Sequence, residues 1–301
     1  MQTLSTQALP RRAQPPDLPH DQALAAAAAC VLAEMWGQFT TNLALLGALD
    51  DPEVVHQARI GWRRFKSALR LFKPALDVDT RPSWLPLQGL LKLLSELREL
   101  DVAGTDTLPS LESAFTAGNP RRANDWQVMT EALVHATASK RRAVRHALKN
   151  PRLCTALLDI TEWLETIDTH GASVAKDSKL KIDLRPWARR RIARLRNQLK
   201  LHLKTPVSAE NQHQTRIAAK RLRYGIETLR SLLPKRRAQR WYEQAVHLQS
   251  SLGTARDLVQ VIELLGQMQV DAGLVEFLRG VAVGQGNLTT GAVRAAPATA
   301  P

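Results

Sequence analysis

The chain has 301 residues, enough for one large domain or two halves of roughly 150 residues each, with 42 Lys+Arg against 28 Asp+Glu, a net charge of +14. That balance predicts attraction to polyanions, and no stretch approaches 18 uncharged apolar residues, which excludes a membrane-spanning segment. The two cysteines, Cys30 and Cys154, have no metal-ligand spacing and read as core thiols of a cytoplasmic protein.

Taken in order, residues 1–19 form a Pro-rich stretch (Pro10, Pro15, Pro16, Pro19) expected as a disordered tail. It lacks the pattern of a signal peptide. Helical periodicity then dominates and β-branched alternation is nearly absent. A first helix is expected over about 21–49. Asp51 as N-cap with Pro52 and Glu53 behind it opens a second helix, which runs to Pro74. Pro82 and Pro86 bracket the start of an amphipathic helix, QGLLKLLSELREL. A looser stretch over 104–120 precedes a long helix over 121–149. Pro151 interrupts, and CTALLDITEWLETI makes a shorter helix. Residues 169–183 read as a linker. Further helices are expected near 185–204, 207–233, 236–269 and 272–285, and residues 286–301 as a second disordered tail. The segment FLRGVAVGQGNLTT is short and weakly basic, which implies a truncated last helix.

Two of these helices carry the same ladder of cations. From His56, the residues Arg59, Arg63, Lys66, Arg70 and Lys73 follow at steps of 3, 4, 3, 4 and 3. From His213, Arg216, Lys220, Arg223, Glu227 and Arg230 follow at the same steps. At about 100° per residue the first ladder falls between about 260° and 340° from His56, while Ala58, Trp62, Phe65, Leu69 and Phe72 fall between about 160° and 240°. Each helix thus has a core face and a cationic face. Arg64 and Arg221 lie near 80°, on a flank away from the ladder. A merely solvated face would interleave signs, because like charges at i,i+4 repel; the first ladder has no acid between Glu53 and Asp77. Guanidinium forks suit phosphate oxygens, and Arg59 to Lys73 spans roughly 20 Å, room for several phosphates in a row.

The repeat extends further. LLSELRELDV, with Arg98, Glu99 and Asp101, parallels LQSSLGTARDL, with Arg256 and Asp257; His56 precedes Arg98 by 42 positions and His213 precedes Arg256 by 43. These acids read as ion-pair or hydrogen-bonding partners that orient arginines, not as catalytic carboxylates. Two histidines make a poor metal site, so no metal and no cofactor is expected. Other basic clusters, with Arg141, Arg145, Arg190 and Arg194 among them, read as secondary cations facing the same cavity. An internal duplication implies two related helical bundles packed face to face, about 20–168 and 184–285, in an all-α fold.

DPEVVHQARIGWRRFKSALRLF with LLSELRELDV, and NQHQTRIAAKRLRYGIETL with LGTARDL, resemble the CHAD family, the conserved histidine α-helical domain, over about residues 20–285. The resemblance implies two four-helix bundles related by a pseudo-twofold axis, with a basic groove or pore that binds inorganic polyphosphate, association to polyphosphate granules and their proteins, and no catalysis. It carries His56, Arg59, Arg63, Arg64, Lys66 and Arg70, with His213, Arg216, Lys220, Arg221 and Arg223, over as contacts. Glu227 departs from the pattern where the first copy has Arg70, which makes the second face the weaker wall. The alternative is a nucleic-acid-binding helical protein, disfavoured by the lack of an aromatic platform or recognition helix. An enzyme would need Mg²⁺-holding carboxylates or a Gly-rich phosphate loop, and neither is present.

Overall fold

The computed structural model describes residues 9–76, 80–176, 183–206, 208–251, 254–268 and 270–295, with no side chains described for 168–176, 209, 251–257 and 285–295. Among the described residues the secondary structure is helical throughout. The α-helices are α1 (Leu24–Leu46), α2 (Pro52–Leu71), α3 (Gln88–Val102), α4 (Glu112–Thr116), α5 (Pro120–Leu148), α6 (Pro151–Lys176), α7 (Leu184–Lys204), α8 (Ala209–Thr228), α9 (Lys235–Ser251), α10 (Thr254–Gly266) and α11 (Ala272–Ala295).

The start of α2 follows its sequence signals. The Asp51 carboxylate accepts the Glu53 backbone N–H at 2.8 Å, one of the orphan donors of a helix N-terminus. Asn119, Asp183 and Ser208 cap α5, α7 and α8 in the same way. At the other end of α3 the chain tightens into a π-turn over Ala103–Thr107 and a 3₁₀ turn over Pro109–Leu111, the irregular stretch that polar and small residues imply.

α1 packs along α2 and α6, α3 along α5, α7 and α9 along α8, and α10 along α11. The α1–α2 contact is close because of Gly61: a Cβ there would stand 2.7 Å from the Phe39 backbone nitrogen. Around that crossing Trp36, Phe39, Trp62, Phe65, Trp84 and Trp163 form a continuous tilted and edge-to-face aromatic cluster, the geometry ring quadrupoles favour. Contacts between the halves pair like with like: α2 meets α8, and α3 meets α10. The cores are not divided by half. The larger draws on α1–α3, the end of α5 and α6–α9, while the smaller joins Leu100, Phe115, Trp126 and Met129 to Leu258, Val261, Leu265, Leu274 and Leu278.

Five expectations are revised. Cys30 and Cys154 are exposed and not in the core. Residues 9–20 are docked rather than disordered. Ala13 and Leu18 are buried, the Arg11 N–H donates to Asn42 Oδ1, Arg11 and Arg12 pair with Glu34 and Glu53, and Leu18 exchanges hydrogen bonds with Ser231. The His20 carbonyl accepts from the Leu184 N–H, so this strap ties the two halves together. α6 continues as helix through residues 169–176 of the expected linker, of which 177–182 lie outside the described residues. The helix expected over 236–269 is two, α9 and α10. α11 is not truncated; its backbone stays helical to Ala295, and residues 296–301 lie outside the described residues.

Candidate functional site

α2 buries Val54, Val55, Ala58, Phe65 and Ala68 and thereby turns its ladder away from the core. At the N-terminal end His56 is half-buried beside Glu53, Arg59, Arg63 and Arg98; burial and those guanidinium charges hold its imidazole below the ordinary 6.5. Arg59 donates to the Leu94 carbonyl at 3.1 Å. Burial, with Arg63 and Arg98 nearby, brings its pKa down to about 10, against the pull of Glu99. Arg98 itself reaches Asp106 at 3.4 Å. Glu99 is therefore a counter-charge beside Arg59. Lys66 is lowered by burial and by Arg70, and lies over the Trp62 ring at 5.9 Å. Lys73 falls in the 3₁₀ turn after α2 and is exposed.

On α8, His213, Arg216, Lys220 and Arg223 are half-buried, and the His213 Nδ1 is buried without a hydrogen-bond partner. Glu227 departs from the ladder for a structural reason. It accepts from Arg64 of α2 at 3.1 Å, lies 3.5 Å from Arg223 and takes the Tyr242 hydroxyl hydrogen bond, which with burial pushes that phenol up. The 80° flank holding Arg64 and Arg221 is thus turned toward the other half. Arg64 is neutralised there by Glu227.

Arg221 opens onto a pocket between α2, α7 and α8. It encloses about 250 Å³ and is lined by Arg70, Arg191, Arg194 and Arg221, with no carboxylate among its walls. Arg191 is lowered by burial and Arg194; Arg221 by burial and Arg70. The Arg191 guanidinium also donates to the Arg70 carbonyl, satisfying an orphan acceptor at the end of α2. Phe72 stacks on Trp187 at 5.3 Å, and Gly225 admits Leu195 and Ile192 of α7; together these fix α7 against the ladder helices.

Secondary cations divide. Arg194 lines the pocket, whereas Arg190 is exposed and does not. Arg191, one position further along α7, takes that place. Arg141 and Arg145 do not join the pocket. Arg141 is buried on Asp101 at 3.2 Å and near Asp50 at 3.5 Å. Arg145 holds Asp50 at 2.9 Å and the Leu46 and Leu49 carbonyls, which tie the end of α5 to the end of α1. Burial pushes the Asp101 carboxyl up despite Arg141. The side chains of Arg256 and Asp257 lie outside the described residues.

A family model described as the CHAD domain matches residues 30–266. The chain belongs to the CHAD family. Its fold is similar to the crystal structure of the CHAD domain from the plant Ricinus communis, with TM-score 0.76 and 25% identity over 96% of this chain and 98% of that one. No curated protein matches it. In this CHAD domain, no three His, Cys, Asp or Glu side chains among the described residues are grouped to hold a metal ion, and no described helix is long and apolar enough to cross a membrane.

Proposed function

We propose that this CHAD protein binds inorganic polyphosphate and associates with polyphosphate granules, without catalysing a reaction on it. The observation that carries the reading is the meeting of Arg70 of the first ladder and Arg221, on the flank of the second ladder helix, in one pocket, joined by Arg191 and Arg194. Four guanidinium groups without a carboxylate on the walls repel one another, and burial has lowered two of them. A phosphate chain relieves both costs through charge-assisted, two-oxygen hydrogen bonds. The ladder residues His56, Arg59, Arg63, Lys66 and Arg216, Lys220, Arg223 place further cations on the same two helices, and affinity is expected to grow with chain length as successive phosphates engage them.

The test is a titration of purified protein with polyphosphates of graded length, with duplex DNA as competitor. Affinity rises with length and falls steeply with salt as counterions are released. Arg70→Ala with Arg221→Ala flattens the salt slope by about one unit per lost contact. Unchanged binding in that double variant removes the pocket from the site, and DNA displacing polyphosphate at equal phosphate concentration favours a nucleic-acid ligand.

A further inference from the structure

The pocket between α2, α7 and α8 is more than a ring of cations. Beneath Arg70, Arg191, Arg194 and Arg221 lie Leu71, Leu195 and the bare backbone of Gly225. A Cβ at Gly225 would stand 2.8 Å from Leu195 Cδ1 and 3.2 Å from Ile192 Cδ1, so the absence of a side chain there lets α7 and α8 close into an apolar floor. Ser67, Gln198 and Thr228 stand on the walls and offer neutral hydrogen-bonding groups between floor and rim.

Inorganic polyphosphate uses only half of this. Every unit of that chain presents oxygen, so nothing in it belongs against Leu71 and Leu195. A ligand with a flat, weakly polar ring at one end and several phosphates at the other uses both parts. The ring displaces water from the floor, its edge atoms meet Ser67, Gln198 or Thr228, and its phosphates take the four arginines. The enclosed volume, about 250 Å³, sits just below the roughly 300 Å³ at which small-ligand pockets begin. It suits a base-sized ring with the phosphates reaching out to the rim. The nearest acid of α8, Glu227, is drawn toward Arg64 and Arg223, which leaves the rim free for anions.

We infer that this pocket binds nucleoside polyphosphates, with the base on the Leu71–Leu195–Gly225 floor and the phosphates on Arg70, Arg191, Arg194 and Arg221. The inference goes beyond polyphosphate binding and does not depend on it; where both hold, the two ligands compete for the same arginines.

Calorimetric titration of the full chain with ATP and with inorganic tripolyphosphate, at one ionic strength and without divalent cations, separates floor from rim, because the two ligands carry similar charge. ATP binds at least tenfold more tightly. Ser67→Phe, which places a ring in the cavity, brings ATP to parity with tripolyphosphate. Leu195→Gln does the same by wetting the floor, with circular dichroism confirming that each variant is folded. Equal affinities in the wild-type protein, or an ATP preference that survives both substitutions, overturn the inference. Long-chain polyphosphate titrated alongside keeps the two readings apart: long-chain binding with ATP at parity overturns the nucleotide pocket alone. An ATP preference without long-chain binding supports the pocket and overturns only the polyphosphate function.

Discussion

Arg64 on α2 and Glu227 on α8 are joined at 3.1 Å, across the seam between the two ladder helices. The bond explains why the second ladder carries an acid where the first has Arg70. One carboxylate there holds Arg64, Arg223 and the Tyr242 hydroxyl together, and without it α2 and α8 would press like charges against each other. Glu227→Gln is therefore expected to act in two directions. The pair is mostly but not fully buried, so stability falls by roughly 1–3 kcal/mol, between the exposed and buried limits. Polyphosphate affinity at low salt rises several-fold, since two guanidinium groups lose their neutralising partner. Urea melts and a salt series of titrations read the two effects separately; a loss of affinity at low salt argues against this account of Glu227.

Arg141 is predicted to matter for stability and not for the ligand. Its partner Asp101 is 3% exposed, and Arg141→Met leaves that carboxyl buried with its counter-ion gone. The cost is about 3–5 kcal/mol. Polyphosphate affinity, measured well below the melting transition, stays within twofold of wild type. A large affinity loss in folded Arg141→Met protein would return Arg141 to the ligand-binding set.

These two arginines show where sequence stops being informative. Asp51, Pro52 and the 3–4 spacing specify where α2 begins and which residues share a face, because caps and period are local. The period assigns Arg64 and Arg221 an angle but cannot say that this angle faces the other half, which depends on packing between segments far apart in the chain. Arg141 and Arg145 look like free cations because their acids, Asp101 and Asp50, are remote in sequence. Arg190 and Arg191 differ by about 100° around α7, and only the docking of α7 on Gly225 selects Arg191. The strap was hidden for a different reason: its composition is that of a tail, and its order comes from Glu34, Asn42 and Ser231 on other elements. The all-helical fold and the helices that carry the ladders were legible, while the last rungs, Lys73 and Arg230, fall in 3₁₀ turns beyond α2 and α8.

Gly61 should be intolerant of even one methyl group. Its missing Cβ would fall 2.7 Å from the Phe39 nitrogen and 3.0 Å from its Cα, and backbone cannot move aside as a flexible side chain would. Gly61→Ala raises helix propensity by up to about 1 kcal/mol, yet the overpacking of α1 on α2 costs roughly 1–3 kcal/mol. The net expectation is a lower urea midpoint with an unchanged m value. Gly89, whose added Cβ would meet nothing within 4 Å, serves as control: Gly89→Ala on α3 keeps or raises stability. A rise at both positions would show that α1 and α2 do not cross closely at Gly61.

His56 gives the binding reaction a pH dependence of definite sign. In the free protein its pKa is lowered, by burial first and then by Arg98, with Glu53 opposing and Arg63 and Arg59 adding to the effect. An unfolded chain therefore takes up this proton at a higher pH than the folded one, and stability falls as pH drops below 6.5 toward the folded pKa. A polyanion lying along Arg59, Arg63 and Arg98 cancels the charges that oppose protonation and raises the imidazole pKa. Binding then draws in a proton, and affinity increases as pH falls from 7.5 to 5.5. Calorimetry of long-chain polyphosphate binding in buffers of different ionisation enthalpy measures that uptake directly. His56→Gln is expected to reduce the uptake and the pH slope while leaving binding at pH 8 within a few-fold of wild type, because the imidazole is already neutral there. Proton uptake that persists undiminished in His56→Gln would assign the pH dependence to another group.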